Sequence, residues 1–178
     1  MSQGERIIRR RARELALQGV YQWLLQSATP TGSHAVTTAD WIDQPAAVQL
    51  AILKEFVAVE AEEETAPRAD EVDVEFFTHL LCGTIDEAET LRARFAPFLS
   101  REVSELSPVE HAILLLAAHE LKLDIATPYK VVINEAIELT KKYGGTDAHR
   151  FVNGVLDRLA TELRPDEVKA IRATRHQD

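Results

Sequence analysis

Apolar residues recur at intervals of three and four on both sides of a Gly-Gly pair in residues 127–157. This spacing places side chains on one face of an α-helix, whereas a β-strand needs alternation of every second residue. The apolar positions are Val131, Val132, Ala136 and Ile137 before the pair, and Phe151, Val152, Val155, Leu156 and Leu159 after it. The segment therefore predicts a helical hairpin in which each helix buries one stripe.

The residues at the ends of this hairpin carry helix-boundary signals. Thr127 is expected to cap a helix whose first residue is Pro128, where the missing N–H costs nothing. The Gly144–Gly145 pair is expected to take the left-handed conformation that ends this helix. Thr146 or Asp147 is then expected to cap the second helix. These signals predict two short helices with a tight turn between them.

The rest of the chain also has helical rather than strand patterning. Loop composition over residues 27–39 and eleven acid-rich residues over 60–70 interrupt the pattern. No stretch shows strand alternation, so we predict an all-α fold of six or seven helices. The other predicted helices span about Glu5–Gln26, Trp41–Val59 and Val74–Phe95, with Pro97 ending the last, and one begins at the Ser107–Glu110 capping box and runs through Leu121.

The charge of the chain is unevenly distributed. The net charge is −9, which by itself argues against a nucleic-acid partner. Residues 60–75 hold eight acidic residues against one arginine and contribute −7, which leaves −2 for the remainder. Residues 1–14 hold five arginines against two glutamates. Because local charge decides binding more than the sum does, the acidity of the chain does not exclude RNA.

Four arginines are expected to share one face of the first helix, away from its apolar stripe. They are Arg6, Arg9, Arg10 and Arg13. Arginine is a planar, bidentate donor to phosphate and base edges, and Tyr21 near the same face offers a ring for stacking an unpaired base. A helix rich in arginine is often only a solvated surface, so the pattern alone leaves both interpretations open.

A second polar cluster surrounds the Gly-Gly turn. Its members are Lys141, Lys142, Tyr143, Asp147, His149, Arg150 and Phe151. The start of a helix presents free N–H groups, and beside lysines it is suited to phosphate. Ordinary capping by Asp147 and burial of Phe151 in the core would explain the same residues without any ligand.

Catalytic and metal-binding patterns are weak in this chain. His111 and His119 stand eight residues apart on one helix, about 12 Å along its axis, which is too far for a metal pair. No HExxH, Walker-type loop or CxxC is present. Cys82 in an apolar helical context is expected to be a small core residue. We therefore expect no enzymatic activity, no metal and no cofactor.

The basic N-terminus lacks the apolar segment of a signal peptide, and we expect a cytoplasmic protein without membrane contact.

Two sequence blocks resemble a known family. Residues 128–157 resemble the C-terminal half of the NusB family of transcription antitermination factors. The two stretches that carry this resemblance are PYKVVINEAIELTKKYGG and DAHRFVNGVLD. RRRARELALQGVYQW, residues 9–23, resembles the arginine-rich first helix of that family. The resemblance covers about residues 5–26 and 71–165. It fails over about 27–70, where this chain is longer than compact family members.

This resemblance implies a fold, a function and a set of site residues. The fold would be a compact bundle with two helical subdomains, forming a single RNA-binding domain over residues 1–178. The chain would bind single-stranded boxA RNA together with the small-subunit ribosomal protein that acts as NusE. It would support ribosomal RNA transcription, with other Nus factors and RNA polymerase as indirect partners, as a monomer or homodimer. The RNA-binding residues implied are Arg9, Arg10, Arg11, Arg13, Tyr21, Lys142, Asp147, Arg150 and Phe151, and the partner-binding residues are Tyr21 and Glu110.

Two alternatives compete with this interpretation. The same helical module occurs as the N-terminal domain of some ribosomal RNA cytosine methyltransferases, but 178 residues with one cysteine leave no room for a catalytic domain. The chain could instead be a protein-binding helical adaptor whose arginines contact an acidic partner or its own residues 60–75. Salt-dependent binding to a defined RNA would separate the adaptor from the RNA-binding factor.

Overall fold

The computed structural model describes residues 3–27, 72–123 and 126–175. Within these residues the chain forms seven α-helices and two short 3-10 helices, and no strand. The all-α prediction is confirmed. None of the helices in this part of the chain is long and apolar enough to cross a membrane. The predicted helix over Trp41–Val59 and the acidic stretch over 60–70 lie outside the described residues.

The chain divides into two compact units, residues 1–86 and 87–178. We call these the N-terminal unit and the C-terminal unit. The single domain expected over 1–178 stays a prediction. In chain order the α-helices are α1 Gln3–Ser27, α2 Val74–Asp86, α3 Ala88–Phe95, α4 Pro108–Leu123, α5 Tyr129–Tyr143, α6 Ala148–Leu163 and α7 Pro165–Arg175, and the 3-10 helices Ala96–Phe98 and Val103–Glu105 lie between α3 and α4.

In the N-terminal unit, α1 packs against α2 through large apolar side chains. Leu15, Phe77 and Leu80 are each no more than 1% exposed. Gly19 permits this approach, because a Cβ atom there would lie 2.6 Å from Cδ1 of Leu81. The start of α2 is fixed by Asp73, whose carboxylate accepts a hydrogen bond from a first-turn amide at 3.0 Å. These contacts join the two helices into one small core.

The C-terminal unit is built around α4. Its residues 112–121 are all buried, because α3, α5 and α6 pack against it from several sides. A helix enclosed in this way is apolar around most of its circumference rather than along one stripe. The buried positions Val152, Val155, Leu156 and Leu159 of α6 confirm the predicted stripe of that helix except at Phe151, which is half-buried.

The predicted start of α4 is confirmed in detail. The amide of Glu110 donates to the hydroxyl of Ser107 at 3.2 Å, and the amide of Ser107 donates back to the Glu110 carboxylate at 2.9 Å. This reciprocal pair is the capping box that the sequence predicted, and it is followed by Pro108 at the first helical position. Because all its members lie within four residues, local sequence was sufficient to identify it.

The boundaries around α5 differ from prediction. The helix begins at Tyr129, with Pro128 at the capping position and no side-chain cap, so Thr127 is not the N-cap. Thr127 is instead fully buried, and its carbonyl accepts a hydrogen bond from Arg164. Gly144 ends the helix in an extended conformation (φ −89°, ψ 173°), and no glycine in the described residues has a positive φ, so the predicted left-handed glycine is wrong. A Cβ at Gly144 would lie 2.6 Å from a backbone oxygen, which explains the glycine there by close packing.

The single helix predicted over Val74–Phe95 is in fact two, because α2 ends at Asp86 and α3 begins at Ala88. Glu87 between them has φ −99° and ψ 7°, outside the helical range. Its carboxylate accepts a hydrogen bond from Nζ of Lys122 at 2.5 Å and lies 3.1 Å from Nδ1 of His119. The hydrogen bond from Lys122 is the main reason that the pKa of Glu87 lies below its ordinary value. These α4 contacts hold Glu87 in its turn.

Arg164 connects the end of α6 to three other helices. This residue is 7% exposed, and its guanidinium donates to the carbonyls of Leu121 at 2.6 Å and Thr127 at 2.6 Å. It also lies 3.3 Å from the carboxylate of Glu167, which accepts from the amide of Tyr129 at 2.9 Å. One arginine thereby satisfies carbonyls at the end of α4 and fixes the beginnings of α5 and α7.

Candidate nucleic-acid interface

The arginines of α1 are not equally exposed. Arg10 is exposed, Arg9 and Arg11 are half-buried, and Arg13 is only 4% exposed. Residues 12–17 are all buried, so the buried surface of α1 is wider than the single stripe that the spacing predicted. The expectation that Arg13 lies off the buried surface is therefore wrong. A contact between Arg13 and RNA stays a prediction that its burial makes harder to satisfy.

Phe76 of α2 explains the position of two of these arginines. Cζ of Arg9 lies 3.9 Å from the centroid of the Phe76 ring, and Cζ of Arg13 lies 5.1 Å from it. Both distances fall within the range of a cation–π contact. Arg11 meanwhile forms an ion pair with Glu14 at 3.1 Å. Arg9, Arg11 and Arg13 therefore already have partners inside their own unit.

Tyr21 lies on α1 beyond the arginines and is half-buried. Partial exposure of this residue leaves some of its surface for stacking against a base or a partner side chain. The RNA and partner roles predicted for Tyr21 stay predictions. Arg10 is the exposed residue among the RNA-binding residues predicted on this helix, and Tyr21 is partly accessible.

The turn between α5 and α6 in the C-terminal unit is much more open. Side chains of Arg150 and Asp147 are 78% and 62% exposed, and they lie 3.4 Å apart. Lys142 is exposed, with its Nζ 4.9 Å from the centroid of the Tyr143 ring. Three of the predicted residues, Lys142, Asp147 and Arg150, thus occur together on one accessible turn. The two cations of this set, Lys142 and Arg150, are exposed and therefore accessible to a phosphate.

Asp147 has an unusual backbone conformation. It occupies the capping position of α6 with φ 63°, and its side chain makes no capping hydrogen bond. It is the one non-glycine residue with a positive φ among the described residues. Asp147, one of the two predicted caps, is therefore the N-cap by position, but the expected side-chain cap is absent and its carboxylate lies toward Arg150 instead. The strain that glycine would have avoided is taken by an aspartate, which tolerates the left-handed region better than most residues.

Phe151 and Glu110 are joined by an arginine that the sequence patterns did not single out. Arg101 donates from Nη2 to a Glu110 carboxylate oxygen at 2.8 Å, and its Cζ lies 4.6 Å from the centroid of the Phe151 ring. Glu110 is 8% exposed and Phe151 is half-buried. No sequence signal could have identified Arg101, because its partners stand 9 and 50 positions further along the chain.

The Glu110 carboxylate is held in its charged form. Burial raises its pKa, but hydrogen bonds from the hydroxyl and amide of Ser107 and the charge of Arg101 outweigh this effect, and the pKa lies below its ordinary value of 4.5. The two oxygens are divided between these partners, because Ser107 binds one and Arg101 the other. Glu110 is therefore an anion with a fixed position in the first turn of α4.

The histidines of α4 have different partners. Nε of Arg92 donates to Nε2 of His111 at 2.9 Å, which requires a neutral imidazole. Burial is the first cause that lowers the pKa of His111 to about 4, and the Arg92 charge is the second. His119 pairs instead with Glu87. Among the described residues, no group of three or more histidine, cysteine or acidic side chains is arranged to hold a metal ion.

Cys82 is 4% exposed, which confirms its prediction as a core residue. Burial, with a smaller contribution from the charge of Asp86, raises the pKa of its thiol to about 11. A thiol with this pKa is almost fully protonated at neutral pH and is a poor nucleophile. Cys82 therefore contributes packing and not chemistry.

Comparison with known proteins connects this arrangement to one family. The NusB family model matches residues 10–161. The chain is 52% identical over 168 residues to a transcription antitermination protein NusB of Azoarcus sp. (strain BH72), covering 94% of this chain and 92% of that protein. It is 46% identical over 165 residues to the protein of the same name from Bordetella pertussis (strain Tohama I), covering 93% of each.

A solved structure agrees with the sequence matches. The NusB structure of T. maritima aligns with a TM-score of 0.63 at 25% identity, covering 90% of this chain and 96% of that one. The family model matches residues 10–161, a range that includes residues 27–70, where we expected the resemblance to fail. On the helical architecture, the model match and these relatives, the chain belongs to the NusB family.

Proposed function

We propose that this chain is a transcription antitermination factor that binds single-stranded boxA RNA. It acts in the cytoplasm together with the ribosomal small-subunit protein that serves as NusE, and it supports ribosomal RNA transcription. Its action is assembly and not catalysis. The relatives in Azoarcus and Bordetella carry the name transcription antitermination protein, which supports the proposal at the level of the family.

The observation that carries RNA binding is the exposed cationic turn between α5 and α6. Arg150 is 78% exposed in the first turn of α6, where the Asp147 side chain makes no capping hydrogen bond. Lys142 is exposed in the last turn of α5. Exposed arginine and lysine side chains neutralise phosphate at little cost in desolvation, and the free N–H groups at the start of α6 add to this. In the N-terminal unit, Arg10 supplies a further exposed cation and Tyr21 a partly exposed ring.

Binding assays with defined RNA test the proposal. Fluorescence anisotropy compares a short boxA-like RNA with a scrambled RNA of equal length, with and without the ribosomal partner, across a salt series. We expect preference for the boxA-like RNA, tighter binding with the partner, and a log–log salt slope of about −0.7 per phosphate contact. Weak binding that is indifferent to sequence and partner would favour the protein-binding adaptor instead.

Two charge-reversal variants of equal net charge make the assay specific to the turn. Arg150→Glu changes the proposed site, whereas Arg172→Glu changes an exposed arginine on α7. We expect Arg150→Glu to weaken binding and to flatten the salt dependence, and Arg172→Glu to do neither. Equal loss in both variants would mean that overall charge, and not this turn, governs RNA binding.

A further inference from the structure

Arg101 lies between the two 3-10 helices, and its guanidinium is held on two sides. Nη2 donates to the Glu110 carboxylate at 2.8 Å, and Cζ lies 4.6 Å from the centroid of the Phe151 ring. The side chain remains 37% exposed. It is thus anchored at one edge and supported by an aromatic ring, while part of its surface faces solvent.

The anchor itself is rigid. The second oxygen of Glu110 accepts hydrogen bonds from the amide of Ser107 at 2.9 Å and its hydroxyl at 2.7 Å. These bonds belong to the capping box of α4, a helix that is buried over most of its length. The capping box therefore fixes the position of the Glu110 carboxylate, and this carboxylate in turn orients the guanidinium of Arg101.

The guanidinium retains unused donors. Arginine carries five N–H groups in a fixed plane, and the ion pair with Glu110 uses one nitrogen. Across residues 3–27, 72–123 and 126–175, Glu110 is the one hydrogen-bond or ion-pair partner of Arg101. The remaining edge can bind a phosphate oxygen without breaking the existing contacts. Since the side chain is already oriented, little rotamer entropy is lost when it binds.

We infer that Arg101 contacts a backbone phosphate of the bound single-stranded RNA, and that Glu110 and Phe151 act through it as positioning residues. The inference rests on the proposed function and adds to it a contact residue that its site lacked. Glu110 is nearly buried and both of its oxygens are occupied, so it orients Arg101 rather than meeting the RNA. The ring of Phe151 supports the guanidinium in the same way.

The test compares Arg101→Gln with Arg94→Gln. Arg94 is a matched control, because it is 55% exposed, pairs with Glu162 at 2.7 Å in the same unit, and makes no cation–π contact within the part of the chain that the structure describes. Affinity for the boxA-like RNA is measured across a salt series for both variants and the unchanged protein. We expect Arg101→Gln to bind about tenfold more weakly. Its log–log salt slope should be smaller by about 0.7, since one phosphate contact is lost. Arg94→Gln should keep the original affinity and slope.

The salt slope separates contact from positioning. Weaker binding by Arg101→Gln with an unchanged slope would overturn the phosphate contact, because a purely structural role releases no counterion. Unchanged affinity would overturn it as well. Circular dichroism checks folding, and Arg101→Met, which keeps the aliphatic stem over Phe151, replaces Arg101→Gln if that variant unfolds.

The behaviour of the unchanged protein separates failure of the proposed function from failure of the Arg101 contact alone. If the unchanged protein binds boxA-like and scrambled RNA equally, with or without the partner, the function and the Arg101 contact both fail. If the unchanged protein prefers boxA-like RNA and Arg101→Gln retains the full slope, only the Arg101 contact fails.

Discussion

Arg13 of α1 and Arg150 of the α5–α6 turn carry the same charge in opposite surroundings. Arg13 is 4% exposed, with its guanidinium over Phe76, whereas the side chain of Arg150 is 78% exposed. The contrast shows that the number of arginines in a segment does not measure how many can meet a ligand. Removal of an arginine that packs inside its own unit lowers the stability of the fold, whereas an arginine on an exposed turn is accessible to a ligand.

The largest expected effect is on stability, in Arg13→Glu. The change places a carboxylate in a buried position next to the negative face of an aromatic ring. We expect a loss of about 3 kcal/mol or more in the free energy of unfolding, measured by urea denaturation. Arg10→Glu, on the exposed side of the same helix, should change stability by no more than about 0.5 kcal/mol. If both variants are equally stable, Arg13 has no structural role and the contrast with Arg150 disappears.

The next effect is on RNA affinity, in Arg150→Glu. Reversal of an exposed charge removes one phosphate contact and adds a repulsion, so we expect about tenfold weaker binding at ~0.1 M salt, with the melting temperature unchanged. Anisotropy titration at two salt concentrations measures both affinity and slope. Full affinity in Arg150→Glu would show that exposure, too, is a poor guide to the RNA contacts of this protein.

A pH titration extends the contrast to Arg92, a mostly buried arginine of the C-terminal unit. Its partner His111 has a pKa of about 4 in the folded protein, against 6.5 for a free histidine. Between pH 6.5 and 4 the unfolded state therefore binds more protons at this residue than the folded state does. Stability should therefore fall as the pH decreases from 6.5 toward 4, and this loss should be smaller in His111→Gln, which accepts the Arg92 hydrogen bond without titrating. Urea denaturation at pH 7, 5.5 and 4.5 compares the two proteins. Identical pH dependence would mean that His111 is not held neutral by burial and Arg92.

The smallest expected effect concerns the carboxylate of Asp147. Asp147→Asn keeps the shape and the tolerance of a left-handed backbone while it removes a charge that repels phosphate and pairs with Arg150. We expect binding to tighten by about two- to fivefold, the range of an exposed ion pair. BoxA-like and scrambled RNA should gain almost equally if Asp147 acts only through charge. A gain confined to scrambled RNA would assign Asp147 a direct contact with a base.

Some features decided by neighbouring residues were predicted correctly, although the local capping predictions at Thr127, Gly144 and Asp147 failed. Features decided by distant residues were not predicted. The Ser107–Glu110 capping box and the buried stripe of α6 follow from residues within a few turns of each other, and both are confirmed. The position of Arg13 depends on Phe76, which is 63 residues away, so the spacing within α1 could not reveal it. Arg101 was missed for the same reason. At the α5–α6 turn the sequence pattern predicted a left-handed conformation for the Gly144–Gly145 pair, whereas the residue with a positive φ is Asp147.

The buried Cys82 makes selective labelling practical. With a thiol pKa of about 11, roughly one molecule in ten thousand carries the thiolate at pH 7, and the sulfur is shielded from reagents. A cysteine introduced at an exposed position, such as Thr146 in the α5–α6 turn, would therefore react with a maleimide dye long before Cys82 does. The natural sequence can serve directly as the background for fluorescence reporters of RNA arrival at that turn, without replacing its own cysteine.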